Sequence, residues 1–211
     1  MLDSGDVQFM TAGRGIVHCE IVKADKPFRG SQLWINLAKK HKMVEPRYKD
    51  LLSINIPSKS VNGVTVKVMS GESMGLKVPS YTYTPIYYLD FRLETNATFT
   101  QPLPIDWNAF ILVLDGTAVI GNKLVEADTH NTALLTKGDS VSFRNEKKQL
   151  LRLVLVAGEP INEPVVMNGP FVMNTEAEIK QAYKDLEMFK NGFENARTWR
   201  SATFGGNTKR L

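Results

Sequence analysis

The sequence predicts an all-β protein of the sandwich or small-barrel kind, closed by one C-terminal helix. Three observations carry the prediction. From Val64 to Val156, short runs of β-prone residues follow one another with turn residues between them. Leu150 to Val156 is an almost unbroken apolar run of strand length. Helical spacing is concentrated near the C-terminus, where Ile179, Ala182, Tyr183, Leu186 and Phe189 fall on one face.

Taken in order, residues 1 to 37 read as strands and turns. Gly5-Asp6 is a turn, and Gly13-Arg14-Gly15 is another, since glycine supplies the positive backbone angles of a tight reversal. Ile16 to Ile21 then reads as a strand. Alternation along it places His18 and Glu20 on one face and Cys19 on the other, as a buried apolar filler. In Gln32 to Leu37 the same alternation aligns Leu33, Ile35 and Leu37. Residues 38 to 55 are mostly polar and read as loop with a helical turn. Ile56 to Gly63 combines Pro, Ser and Asn-Gly and reads as a linker.

Beyond it, Val64-Thr65-Val66-Lys67-Val68 alternates, and Ile86 to Leu93 is β-prone. Ala109 to Ile120 reads as a hairpin turning at Asp115-Gly116. Ser140 to Phe143 alternates again. Thr175 with Glu178 forms a capping box that opens the helix, and Gly192 is its expected stop. The domains expected are therefore 1–55, a linker at 56–63, and 64–211 with the terminal helix.

Composition narrows the function classes. The 211 residues are 43% hydrophobic and 23% charged, with a net charge of +4. This is ordinary globular composition with enough apolar material for a sizeable core. The basic residues are dispersed. The densest run, Lys39-Lys40-His41-Lys42, reads as a solvated loop, so direct nucleic-acid binding is not expected. One cysteine excludes a disulfide framework and a cysteine-based zinc site. No apolar run has the length of a membrane span, and the chain is expected to be soluble and intracellular.

His18 and Glu20 are the candidate metal ligands. An imidazole and a carboxylate one pleat apart can share a divalent cation, but a non-haem iron site wants at least two histidines and a carboxylate. The remaining histidines, His41 and His130, sit in polar loops and read as surface residues. A short internal match pairs Leu2 to Asp6 with Leu135 to Asp139, which sets His18 against Leu151 and Glu20 against Leu153. Gln149 to Val156 holds no His, Asp, Glu or Cys. If the β-unit is duplicated, the second copy lacks metal chemistry in this strand.

These residues resemble the pirin family. The resemblance rests on Gly5-Asp6-Val7-Gln8 with Met10 to Ile16, Gln32-Leu33-Trp34, Lys42-Met43-Val44-Glu45-Pro46-Arg47-Tyr48 and Tyr88-Leu89-Asp90-Phe91. It continues in Ala157-Gly158-Glu159-Pro160, Glu163-Pro164-Val165 and Gly169 to Thr175. It implies a bicupin, two jelly-roll β-barrels in tandem, the first holding iron and the second metal-free. His18 and Glu20 match the last two of the family's four iron ligands. Nothing in this chain matches the His-Pro-His stretch that carries the other two, so the first cupin is expected to be incomplete and N-terminally truncated. Phe9 stands where the family usually has Trp, and Trp107-Asn108-Ala109 lies near the position of a cupin's first histidine pair. Residues 1 to about 55 are expected to be poorly ordered, to join a partner, or to pack on the second barrel.

The functional expectation is a pirin-like, non-catalytic protein associated with transcription regulators, in nucleus and cytoplasm, with a degraded iron site. No catalytic residue is assigned. The alternative implied by the family is an iron-dependent quercetin 2,3-dioxygenase-type enzyme, with a small flavonoid-like ligand, if the missing N-terminal half is supplied.

Overall fold

The computed structural model describes residues 2–21, 28–122 and 124–201. They divide into two units, each described by itself. One comprises Met1–Phe9 and Lys49–Ile161, and the other Met10–Tyr48 and Asn162–Leu211. Strands β1 (Val7–Thr11) and β2 (Arg47–Leu51) pair as a separate two-stranded sheet.

The first unit is the β-sandwich expected from Val64 onward. Its strands are β3 (Ser58–Val61), β4 (Val64–Ser73), β5 (Leu76–Val78), β6 (Ile86–Leu93), β7 (Thr98–Pro102) and β8 (Asn108–Asp115). They continue with β9 (Thr117–Ile120), β10 (Val125–Asp128), β11 (Thr132–Leu134), β12 (Ser140–Arg144) and β13 (Leu151–Gly158). A seven-stranded sheet runs β11-β8-β13-β6-β4-β3 with β5 paired to β4, and a four-stranded sheet runs β10-β9-β12-β7. Alternation decides which side faces inward. Val64, Val66 and Val68 are buried while Thr65 and Lys67 are not. Leu89, Phe91 and Leu93 of β6 and Leu151, Leu153 and Leu155 of β13 join the same core. Phe91 meets Phe99 and Phe143 from the smaller sheet at centroid distances of 5.4 and 4.9 Å, which locks the two inner faces together.

Two readings change here. The segment expected as a linker holds β3, whose Ser58 to Val61 pair with Lys67 to Val64, and the Asn62-Gly63 signal marks that hairpin's turn. The Asp115-Gly116 hairpin does not form. β8 pairs with β11 and β13, whereas β9 pairs with β10 and β12. Gly116 is the corner where the chain crosses from the large sheet to the small one. A hairpin turn of this type needs positive φ at both residues, and only Gly116 has it, at 82°. A Cβ there would lie 2.9 Å from the Leu150 carbonyl oxygen, so the corner requires glycine.

A smaller cluster covers part of the unit beside the main core. Leu51, Ile56 and Met69 pack with Val7, Phe9, Tyr81 and Tyr88. Residues 7–9 and 51–56 thus pack on the sandwich within this unit. Asp6 fixes them further by accepting from the Ser53 amide at 2.7 Å.

The second unit carries β14 (Val166–Asn168), β15 (Phe171–Met173) and helix α1 (Glu176–Glu187). The capping box forms as read: Thr175 Oγ1 accepts from the Glu178 amide at 3.2 Å. Burial pushes the Glu178 carboxyl up, but hydrogen bonds from Thr175 and the Asn174 amide outweigh it and hold the group low. The helix stops before Gly192. Met188 is its C-cap, and Phe189 has a φ of 54°, so this aromatic lies past the helix rather than on its stripe. Tyr183 packs edge-on against Phe171 at 4.9 Å.

One ion pair crosses β6 and β13. Arg152 donates to both carboxylate oxygens of Asp90, at 3.1 and 2.7 Å, with the carboxylate side chain only 11% exposed. The hydrogen bond to Asp90 raises the Arg152 pKa. Asp90→Ala, which strands the guanidinium, should cost about 3 kcal/mol in urea unfolding, and Asp90→Leu with Arg152→Met should recover most of that loss.

Candidate metal centre

The segment bearing His18 and Glu20 begins at the Gly13-Arg14-Gly15 turn, and the second unit grips that turn from two directions. Arg14 donates its amide to the Val44 carbonyl at 2.9 Å. Its Nε donates to Glu45 at 2.8 Å, and its Nη1 reaches both carboxylate oxygens of Glu194 at 3.4 Å. The hydrogen bond to Glu45 raises the Arg14 pKa. Both glycines are demanded by close approach as well as by positive φ. A Cβ on Gly13 would collide with the Val44 carbonyl oxygen, and one on Gly15 with the Phe193 ring. The expected glycine turn is therefore present, with a reason for its sequence.

Past the turn, the chain departs from expectation. Residues 15 to 21 form no strand, and His18, Cys19 and Glu20 are all exposed. Cys19 is a free, exposed thiol rather than a buried filler. Gln32 to Leu37 likewise lies outside any strand. Alternation describes a strand only when a neighbour supplies its hydrogen bonds, and no described strand pairs with either stretch. Glu20 is held by side chains instead. Its Oε1 accepts from Gln32 Nε2 at 3.1 Å, and Gln32 Oε1 accepts from Trp34 Nε1 at 3.0 Å.

The donor set can be tested against an iron centre directly. Among the described residues no three His, Cys, Asp or Glu side chains come together in a metal-holding group. His41 lies in a short 3-10 turn, and His130 occupies a tight turn with a φ of 69°. Neither completes a set with His18 and Glu20. One exposed imidazole and one carboxylate already engaged by an amide fall short of two histidines and a carboxylate. The described residues on their own do not fit an iron centre.

Sequence reasoning missed a buried cation in this unit. Lys42, read as part of a solvated basic loop, is 5% exposed. Its Nζ donates to Asn36 Oδ1 at 2.7 Å and to the Val172 carbonyl at 3.3 Å. Burial pushes its pKa down, partly opposed by Glu163 and Glu178. Beside it, Glu163 accepts from the Lys39 amide at 2.7 Å and from Asn174 Nδ2 at 3.1 Å. Asn174 also donates to the Pro164 carbonyl at 2.9 Å. A lysine inside a run of basic residues carries no sequence signal of burial. Its surroundings come from residues 163 to 178, far along the chain.

Two antiparallel sheets enclosing one core are the jelly-roll architecture of the cupin class. The comparisons with known proteins agree and go further. The pirin C-terminal cupin domain matches residues 88–192, and the pirin family matches residues 1–35. Pirin of Homo sapiens is 48% identical over 202 residues, covering 95% of this chain and 70% of the relative. A pirin-like protein of Solanum lycopersicum is also 48% identical, over 94% of this chain and 68% of its own length. Among solved structures, a quercetin 2,3-dioxygenase from Acinetobacter baumannii is similar with a TM-score of 0.76 and 27% identity. The match spans 91% of this chain and 68% of that one. A protein from Geobacillus kaustophilus matches with a TM-score of 0.66 and 39% identity, over 78% of this chain and 67% of its own. The chain belongs to the pirin family, and its fold is of the tandem cupin class.

The glycine turn supplies a direct test of how the ligand segment is held. Gly15→Ala should cost about 1–3 kcal/mol through the disallowed backbone angle and the displaced Phe193 ring. In amide hydrogen exchange, residues 10–21 and 189–200 should lose protection together while β13 keeps its own.

Proposed function

We propose that this chain acts as a pirin-type interaction protein that associates with transcription regulators in nucleus and cytoplasm and performs no oxygen chemistry of its own. The observation that carries the reading is the donor count at the ligand segment. His18 and Glu20 are exposed, no further His, Cys, Asp or Glu joins them among the described residues, and the Glu20 carboxylate is engaged by Gln32. Iron in such enzymes supplies a redox centre for dioxygen, which demands firm ligation with open positions left over. The partner role and the two compartments rest on family membership.

A second reading has one observation in its favour, the likeness to the Acinetobacter baumannii quercetin 2,3-dioxygenase. In that reading the chain works with further ligands from polypeptide outside this sequence, and a small flavonoid-like molecule is the substrate. Incubating the purified 211-residue chain with ferrous iron, oxygen and quercetin separates the two. The first reading expects no quercetin consumption above the protein-free control. Turnover that His18→Ala abolishes would overturn it in favour of the second.

A further inference from the structure

Three Asn-Gly pairs stand at turns of this chain: Asn62-Gly63, Asn168-Gly169 and Asn191-Gly192. Such a pair can change chemically without an enzyme. The glycine amide nitrogen attacks the asparagine Cγ and gives up its proton to a base in water. A new C–N bond closes a succinimide ring, and the side-chain nitrogen leaves as ammonia. Water then opens the ring at either carbonyl. The product is aspartate, or isoaspartate, in which the chain runs through the side-chain carbonyl. Glycine has no side chain to hinder the attack, so sequence alone ranks the three pairs together. Structure ranks them apart, because the step needs an uncommitted glycine amide, an unheld carboxamide and a backbone free to rotate.

Two of the pairs are held. Asn191 Nδ2 donates to Asp185 Oδ1 at 3.0 Å, and the Gly192 amide donates to Glu194 Oε2 at 3.0 Å. Gly192 also lies against the Arg14 backbone, where a Cβ would be 2.6 Å from the carbonyl oxygen. Asn168 Oδ1 accepts from the Tyr183 hydroxyl at 3.0 Å, and a Cβ on Gly169 would collide with that hydroxyl. Asn62 differs on each count. It is exposed, and neither its side chain nor the Gly63 amide has a hydrogen-bond partner among the described residues. The β3–β4 ladder closes on Val61 and Val64, which leaves the turn amide outside it.

Ring closure at Asn62 requires its backbone, with a φ of 49°, to rotate out of the turn. That opening is cheap here. β3 is a four-residue strand at the sheet's edge, exposed throughout and paired only with β4 among the described strands. We propose that Asn62 is a self-modification site, where the folded chain converts asparagine to aspartate and isoaspartate and so loosens β3, while Asn168 and Asn191 stay intact. Either product brings a carboxylate to a turn that Glu94 already borders, its Oε2 lying 3.3 Å from where a Gly63 Cβ would be. Isoaspartate also adds a backbone carbon to a two-residue turn, whose geometry sets the strand register. The site lies within the sandwich unit and does not depend on the reading of His18 and Glu20.

Ageing the full chain in mildly alkaline buffer, then digesting it for mass spectrometry with fragmentation that separates aspartate from isoaspartate, tests the site. In the folded chain Asn62 should convert at least about tenfold faster than Asn168 or Asn191. In guanidinium chloride, which removes all three surroundings, the three rates should draw level. Tyr183→Phe, which takes away the hydroxyl on Asn168, should speed conversion there by about fivefold and leave Asn62 unchanged. In the converted chain the amides of Ser58 to Val61 should exchange faster while those of β13 do not. Equal rates at the three positions in the folded chain, or a ranking that persists in denaturant, would overturn the proposal. So would a folded Tyr183→Phe chain in which Asn168 converts as before, or a converted chain whose β3 exchanges as in the parent.

Discussion

Every backbone amide and carbonyl that leaves water must find a partner, and this requirement sets the two parts of the chain apart. In the sandwich unit the requirement is met by neighbouring strands. β13 is flanked on both sides, by β6 and β8, so its side chains are held at fixed heights and its inner face is fully buried. Residues 15 to 21 have apolar and polar residues in a similar alternation but no described neighbour strand, and residues 17 to 20 are exposed. The same local pattern thus gives a paired, buried strand in one place and an unpaired segment in the other.

That contrast governs the chemistry open to the molecule. A metal centre needs donors converging from separate, rigid elements. The turn before His18 is well fixed, by Arg14 with Glu45 and Glu194 and by the Phe193 ring over Gly15. Beyond it, among the described residues, a side-chain chain runs from Trp34 to Gln32 to Glu20, which orients a carboxylate without adding an imidazole or carboxylate for a cation. Membership of the pirin family and likeness to a quercetin 2,3-dioxygenase describe the scaffold, while the reaction depends on how many ligands that scaffold brings together.

Much of the fold was legible because its signals are local. Alternation in Val64 to Val68 and the Thr175–Glu178 capping box each involve residues a few positions apart, and both appear as read. The misreadings occur where a local signal has two structural uses. Asp115-Gly116 serves a corner between sheets because β8 finds better partners in β11 and β13. Ile16 to Ile21 has strand composition, yet strand formation is a property of pairs. Lys42 is buried by residues more than a hundred positions away, which no window of sequence contains. His18 and Glu20 were identifiable as candidates from their type and spacing, whereas their exposure and the engagement of Glu20 by Gln32 depend on tertiary placement.

With one imidazole and one carboxylate as its donors, a cation should be held too weakly to be retained. The most direct measurement equilibrates the purified chain with ferrous iron and then with the chelator ferrozine. Complete transfer of iron to the chelator, at a rate and extent unchanged by His18→Ala, is the predicted result. One iron retained per chain, and released when His18 is replaced, would contradict it.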